Sequence, residues 1–194
     1  MISSETVKEL RERSGVSVME CKKALEEAAG DIEKALAMLE KRFGGMAAKK
    51  LSRETQDGIV EAYIHSNGKL GVLVEFHSET DFVARNPAFK ELAHDIALHI
   101  AAMNPAYRSI EDIPEAVVAK ERGEFEEEVA KLGKPKEIAA QIIEGKLTSR
   151  LSEMSLLAQP FVKDPNKTVK DLIDAAVGKF GENIRVGRFI RFGI

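Results

Sequence analysis

The sequence predicts an α+β protein: an N-terminal three-helix module, then a small antiparallel sheet with packed helices and a helical hairpin. Three observations carry this. The first 44 residues or so break into three amphipathic helical segments of about ten residues, each closed by glycine. Around Asn67-Gly68 the apolar spacing switches from helical to alternating, and it alternates again at the C-terminus. Between these, residues 114–157 read as helix with one Gly/Pro interruption. The chain has 194 residues, 44% of them apolar and 31% charged, enough to bury a core in one or two small domains. The reading divides it into residues 1–54, the helical module plus a linker, and residues 55–194, an α+β core.

The first helix is capped by Ser3 or Ser4 and stopped by Gly15. Ser17 and Glu20 have the S-x-x-E spacing of a capping box. The second helix sets Cys21, Ala24, Leu25 and Ala28 on one side and ends at Gly30. Asp31 caps a third, with Ile32, Ala35, Leu36 and Leu39 inward, ending near "FGG". The stretch "AAGDIEKALAML" resembles the second-to-third helix junction of ubiquitin-associated domains, which are docking units without chemistry of their own. Residues 45–56 are polar and basic, and read as a linker with some helical character. Lys49, Lys50 and Arg53 could meet an acidic partner or simply solvate it.

Asn-Gly between two β-rich runs is a strong hairpin signal; strands are expected near 58–65 and 70–77. Asn86 then caps a helix with Pro87 at its first position. Phe89, Leu92, Ala93, Ile96, Ile100 and Met103 recur at helical spacing, and Asn104-Pro105 stops it. Gly133 and Pro135 split residues 114–157 into an antiparallel helical hairpin. "QPFVKDPNKT" reads as a loop or short extended piece, and Thr168 caps a last helix. In the final run, strict alternation puts Ile184, Val186, Ile190 and Phe192 on one side and Arg185 and Arg191 on the other.

Composition narrows the function. The net charge of −3 does not suggest a nucleic-acid binder. No run approaches the roughly 18 apolar residues of a membrane span. "MISSETVKEL" lacks the basic and apolar regions of a signal peptide, so a cytoplasmic setting is expected. Cys21 is the one cysteine; it reads as a small core residue and excludes a cysteine-rich metal site. Phosphate-binding glycine motifs and H-E-x-x-H are absent, so neither cofactor nor metal is expected. Glu79 and Asp81 are weak as an acid–base pair. A small hydrolase built from them with His65 and His77 has no nucleophile–base pairing to support it. Asp81-Phe82 itself carries two readings: a helix-entry turn with a tucked ring, or a protruding wedge.

Five stretches, in order, resemble the bacterial translation elongation factor Ts family: "VKELRERSGVSVMECKKALEEAAGDIEKALAML", "SETDFVARNPAF", "GKPKEIAAQIIEGKL", "QPFVKDPNKTV" and "VGRFIRF". The resemblance spans nearly the whole chain. It implies a guanine-nucleotide exchange factor for elongation factor Tu, the GTPase that carries aminoacyl-tRNA, and no enzymatic centre. In that family a Thr-Asp-Phe-Val stretch is pushed against the partner's Mg²⁺ and phosphate region; here it is Thr80, Asp81, Phe82 and Val83. Lys23 falls where the resemblance implies partner docking. Longer members repeat the core subdomain. This chain has one hairpin and one "TDFV", so it resembles the short form, and a homodimer is expected to supply the second half. With no cysteine after position 21, no disulfide near the C-terminus can hold that dimer. The competing reading is a non-catalytic adaptor using the three-helix module.

Overall fold

Side-chain caps start the first three helices where the sequence puts them. In the computed structural model, which describes residues 2–194, α1 (Ser4–Ser14) is capped by the Ser3 hydroxyl and ended by Gly15 at φ 70°. Ser17 caps α2 (Val18–Glu27) and Asp31 caps α3 (Ile32–Lys50). Leu10, Cys21, Ala24, Leu25, Ala35 and Leu39 form the core of this module.

The third helix does not end near "FGG". It runs on to Lys50, through much of the stretch expected to be linker. The reason is tertiary. Phe43 lies against Gly178 of α8 (Val169–Phe180), where a Cβ would sit inside the Phe43 ring. Ala47 reaches the second core, and Glu40 pairs with Lys167 at 3.0 Å. Packing thus overrides the two glycines, each of which costs a helix about 1 kcal/mol.

The sheet has the order β1-β2-β5 and is antiparallel throughout, with β1 at Asp57–Ile64, β2 at Leu70–Ser78 and β5 at Arg185–Gly193. One face carries Val72, Val74, Phe76 and Val186 onto α5 (Pro87–Met103) and α8. Phe76 and Phe89 rings meet at 4.7 Å. Helices α6 (Glu115–Ala130) and α7 (Lys136–Met154) form the hairpin, joined by Glu128–Lys146 (2.6 Å) and Glu121–Arg150 (3.0 Å). A two-stranded ribbon, β3 (Pro160–Phe161) and β4 (Asp164–Thr168), precedes α8.

The strict alternation expected for the last strand fails midway. A bulge opposite Val74–Phe76 shifts the register. Glu75 accepts the Arg188 N–H (3.0 Å) and its guanidinium, which holds the Glu75 carboxyl down to about 2. After the bulge Phe189 and Arg191 turn inward, Arg191 donating to the Ala101 carbonyl. Ile190 and Phe192 turn outward. With Val60, Ile64 and Leu73 they leave the open face of the sheet apolar, Phe192 being 63% exposed.

His99, on α5, is fully buried. Gln159 donates to the Glu153 carbonyl, so its oxygen faces His99 Nε2 at 2.9 Å. The Val162 N–H donates to Nδ1 at 3.2 Å. Both nitrogens are therefore satisfied in the neutral ring. Burial pushes its pKa below the ordinary histidine value, although the Gln159 bond opposes this.

Gly178→Ala should drive Phe43 off α8 and cost about 1–3 kcal/mol of stability, read as a lower Tm with faster amide exchange in α1–α3; an unchanged Tm would contradict this docking. For His99, the unfolded chain takes up a proton that the folded chain refuses, so stability is present above about pH 6.5 and lost as pH falls. His99→Gln should flatten the fall in Tm between about pH 6.5 and 5 relative to wild type; parallel curves would contradict it.

Candidate functional site

The turn between β2 and α5 gathers the predicted site. Its one-turn helix α4 (Asp81–Ala84) is amphipathic. Val83 and Ala84 enter the core, while Phe82 stands 84% exposed. The ring is not tucked. An exposed Phe leaves about 1.5–3 kcal/mol of burial energy unrealised. Asp81 pairs with Arg85 at 2.9 Å, both on the outer side of the turn. Val83, read from the sequence as part of the contact set, anchors the turn from within.

The backbone ahead of Phe82 is held by a residue from the far end of the chain. Glu182, in the loop between α8 and β5, accepts the Glu79 N–H (3.1 Å), the Thr80 N–H (3.0 Å) and the Thr80 hydroxyl (2.6 Å). Thr80 occupies the cap position of α4, but its side chain makes no capping bond. Its carbonyl accepts the Ser78 hydroxyl at 2.9 Å.

A second set of bonds ties this turn to the end of α3. Glu79 accepts the Asn183 N–H at 2.6 Å and lies 3.5 Å from Arg53. Asn183, itself 2% exposed, donates to the Arg53 carbonyl at 2.7 Å. Lys50 donates to the Gly181 carbonyl. Of the basic residues in the expected linker, Lys50 and Arg53 are therefore engaged within the chain.

The groups of the hydrolase reading are each engaged elsewhere. Glu79 serves Asn183, Asp81 serves Arg85, His65 Nδ1 shares a 2.9 Å hydrogen bond with the Tyr63 hydroxyl, and His77 lies 3.7 Å from Glu75. Cys21 is fully buried. Among the described residues no group of three or more His, Cys, Asp or Glu side chains is gathered as a metal site, and no helix is long and apolar enough to cross a membrane.

Lys23 stands outside the turn, exposed on α2. Met19, four residues before it and on the same helix face, is 82% exposed. Sequence reasoning missed Glu182 and Asn183. They lie over a hundred residues from their partners, and no local pattern marks them.

The family description "Elongation factor TS" matches residues 3–194. A protein of Thermosipho melanesiensis named elongation factor Ts is 52% identical over 194 residues, covering all of this chain and 99% of its own length. Proteins of the same name from Rubrobacter xylanophilus and Carboxydothermus hydrogenoformans are each 50% identical, over 97% and 99% of this chain and 96% and 88% of theirs. The chain belongs to the elongation factor Ts family and is a translation elongation factor.

Proposed function

We propose that this chain is a cytoplasmic guanine-nucleotide exchange factor that binds elongation factor Tu·GDP and promotes GDP release by disturbing its Mg²⁺/phosphate site. The observation that carries the reading is the exposed Phe82 ring beside Asp81 on a turn fixed from three sides. The chain contributes binding energy and no bond-making chemistry.

A GTPase holds GDP through backbone amides, a lysine and Mg²⁺. Release is accelerated by favouring the empty form, and whatever this chain does to GDP affinity, GDP does equally to the affinity for this chain. Phe82 suits a wedge: it is large and stiff, and needs no hydrogen-bond partner. Asp81 can exchange Arg85 for a basic group of the partner, or disturb the network that orients the Mg²⁺ ligands. Thr80 fixes the approach and Val83 roots the turn. One ring contributes about 1.5–3 kcal/mol on burial, whereas a ten-thousand-fold acceleration corresponds to roughly 5.5 kcal/mol. The remainder comes from docking elsewhere. Lys23 and Met19 on α2 form one such contact surface, with a charge beside an apolar anchor.

The open sheet face supports self-association. Leu73 lies opposite Ile190 and beside Ala62, while Gly71 separates Ile64 from Phe192. The result is a continuous apolar surface on three adjacent strands, a kind of patch monomers seldom expose. A second copy fits best, packing sheet on sheet across a two-fold axis with the same patch on both sides. The Glu75–Arg188 pair lies at its border. Such a dimer supplies the second half of the core surface that a single short chain lacks.

Phe82→Ala should slow the release of fluorescent GDP from elongation factor Tu by about ten- to a hundredfold; a wild-type rate would overturn the wedge. Phe192→Asp should convert a dimer to a monomer in sedimentation equilibrium at micromolar concentration and lower exchange with it. A wild-type chain that is already monomeric there, or a variant that stays dimeric, would overturn the sheet-to-sheet contact.

A further inference from the structure

We infer that Glu182 is a positioning residue for exchange, a bracket that sets the posture of Phe82 from the opposite end of the core. The inference rests on the wedge reading of Phe82. Its own basis is the geometry of the carboxylate. One oxygen accepts two successive backbone N–H groups, of Glu79 and Thr80, and the other accepts the Thr80 hydroxyl. Three donors on two adjacent residues leave that backbone little freedom to rotate. The Ser78 hydroxyl occupies the Thr80 carbonyl. Phe82 begins two residues later, so any rotation at 79–80 would swing the ring.

A threonine at the cap position ordinarily turns its hydroxyl to its own helix. Here the hydroxyl leaves α4 uncapped and goes to Glu182. The neighbouring Asn183 continues the bracket by donating its N–H to Glu79 and its side-chain amide to the Arg53 carbonyl. Glu182 thus stands where the end of the N-terminal module, the last strand and the wedge turn meet. It faces the turn's own donors, so it acts through Phe82 rather than on the partner.

The experiment is a double-mutant cycle on GDP release from elongation factor Tu, with the full chain. Glu182→Ala should lower the maximal release rate by about tenfold, with less than about twofold change in the concentration giving half the maximum. In a Phe82→Ala background the same change should have less than about a twofold effect, because the ring it positions is gone. Glu182→Gln should restore most of the rate: its amide oxygen can accept both N–H groups while its NH₂ donates to the Thr80 oxygen. Amide exchange at Glu79 and Thr80, followed by NMR without any partner, should quicken in Glu182→Ala. Should that variant fold poorly, Thr80→Val removes one donor only and should give a smaller loss in the same direction.

A wild-type rate for Glu182→Ala beside a slow Phe82→Ala would overturn the bracket and leave the wedge standing. Equal loss in Glu182→Gln and Glu182→Ala, or full additivity with Phe82→Ala, would also overturn it, since the residue would then act by charge or by another route. A wild-type rate for Phe82→Ala would instead remove the wedge, and the amide exchange would still report whether Glu182 holds the turn.

Discussion

The grip of Glu182 on residues 79 and 80 is the constraint from which the site's geometry follows. It joins positions more than a hundred residues apart, and it exists only because β5 lies beside β2. That pairing brings the loop before β5 alongside the turn after β2. Phe76 and Phe89 pack beneath, fixing the strand end and the start of α5 on which the turn rests. The exposed ring therefore stands on a base determined by the whole core. Rigidity matters for the proposed role: a ring held in one posture before docking loses less conformational freedom on binding.

The two faces of the sheet divide the work. The inner face carries the core and, through α8, the docking of the N-terminal module. Phe43 on Gly178 makes α3 and α8 approach closely, and α3 in turn delivers Lys50, Leu51 and Arg53 to the loop at 181–183. The exposed surface of α2 and the turn at Phe82 are thus linked through one helix and one short hydrogen-bonded loop. The outer face is made apolar at β5 by a single extra residue. Without the bulge and its Glu75–Arg188 clasp, Ile190 and Phe192 would face the core and Arg191 would face the proposed second copy.

Much of this was legible in the sequence because its causes are local. Ser3, Ser17, Asp31, Asn86 and Thr168 cap their helices by bonds to residues two or three positions on. Asn67-Gly68 turns the hairpin, and Gly15 takes a left-handed conformation that other residues resist. The Thr-Asp-Phe-Val stretch was legible as a motif, and its local pattern could not decide whether the ring was in or out. What was hidden is what depends on distant partners. The length of α3 is set by α8, the reversal within β5 by Glu75, the burial of His99 by Gln159 and Val162, and the uncapped Thr80 by Glu182. Each is a case of tertiary contact overriding a local rule; the end of α3 and Thr80 lie at the site, and the reversal within β5 shapes the face proposed to meet a second copy.

The account stands on Phe82 reaching the nucleotide pocket of its partner. The most direct measurement places p-benzoylphenylalanine at position 82 of the full chain, irradiates it with nucleotide-free elongation factor Tu, and maps the cross-linked peptide by mass spectrometry. The account expects cross-links confined to the segments lining the Mg²⁺ and phosphate site, lost when excess GDP and Mg²⁺ are added. Cross-links elsewhere on the GTPase, or none at all while the complex still forms, would contradict it.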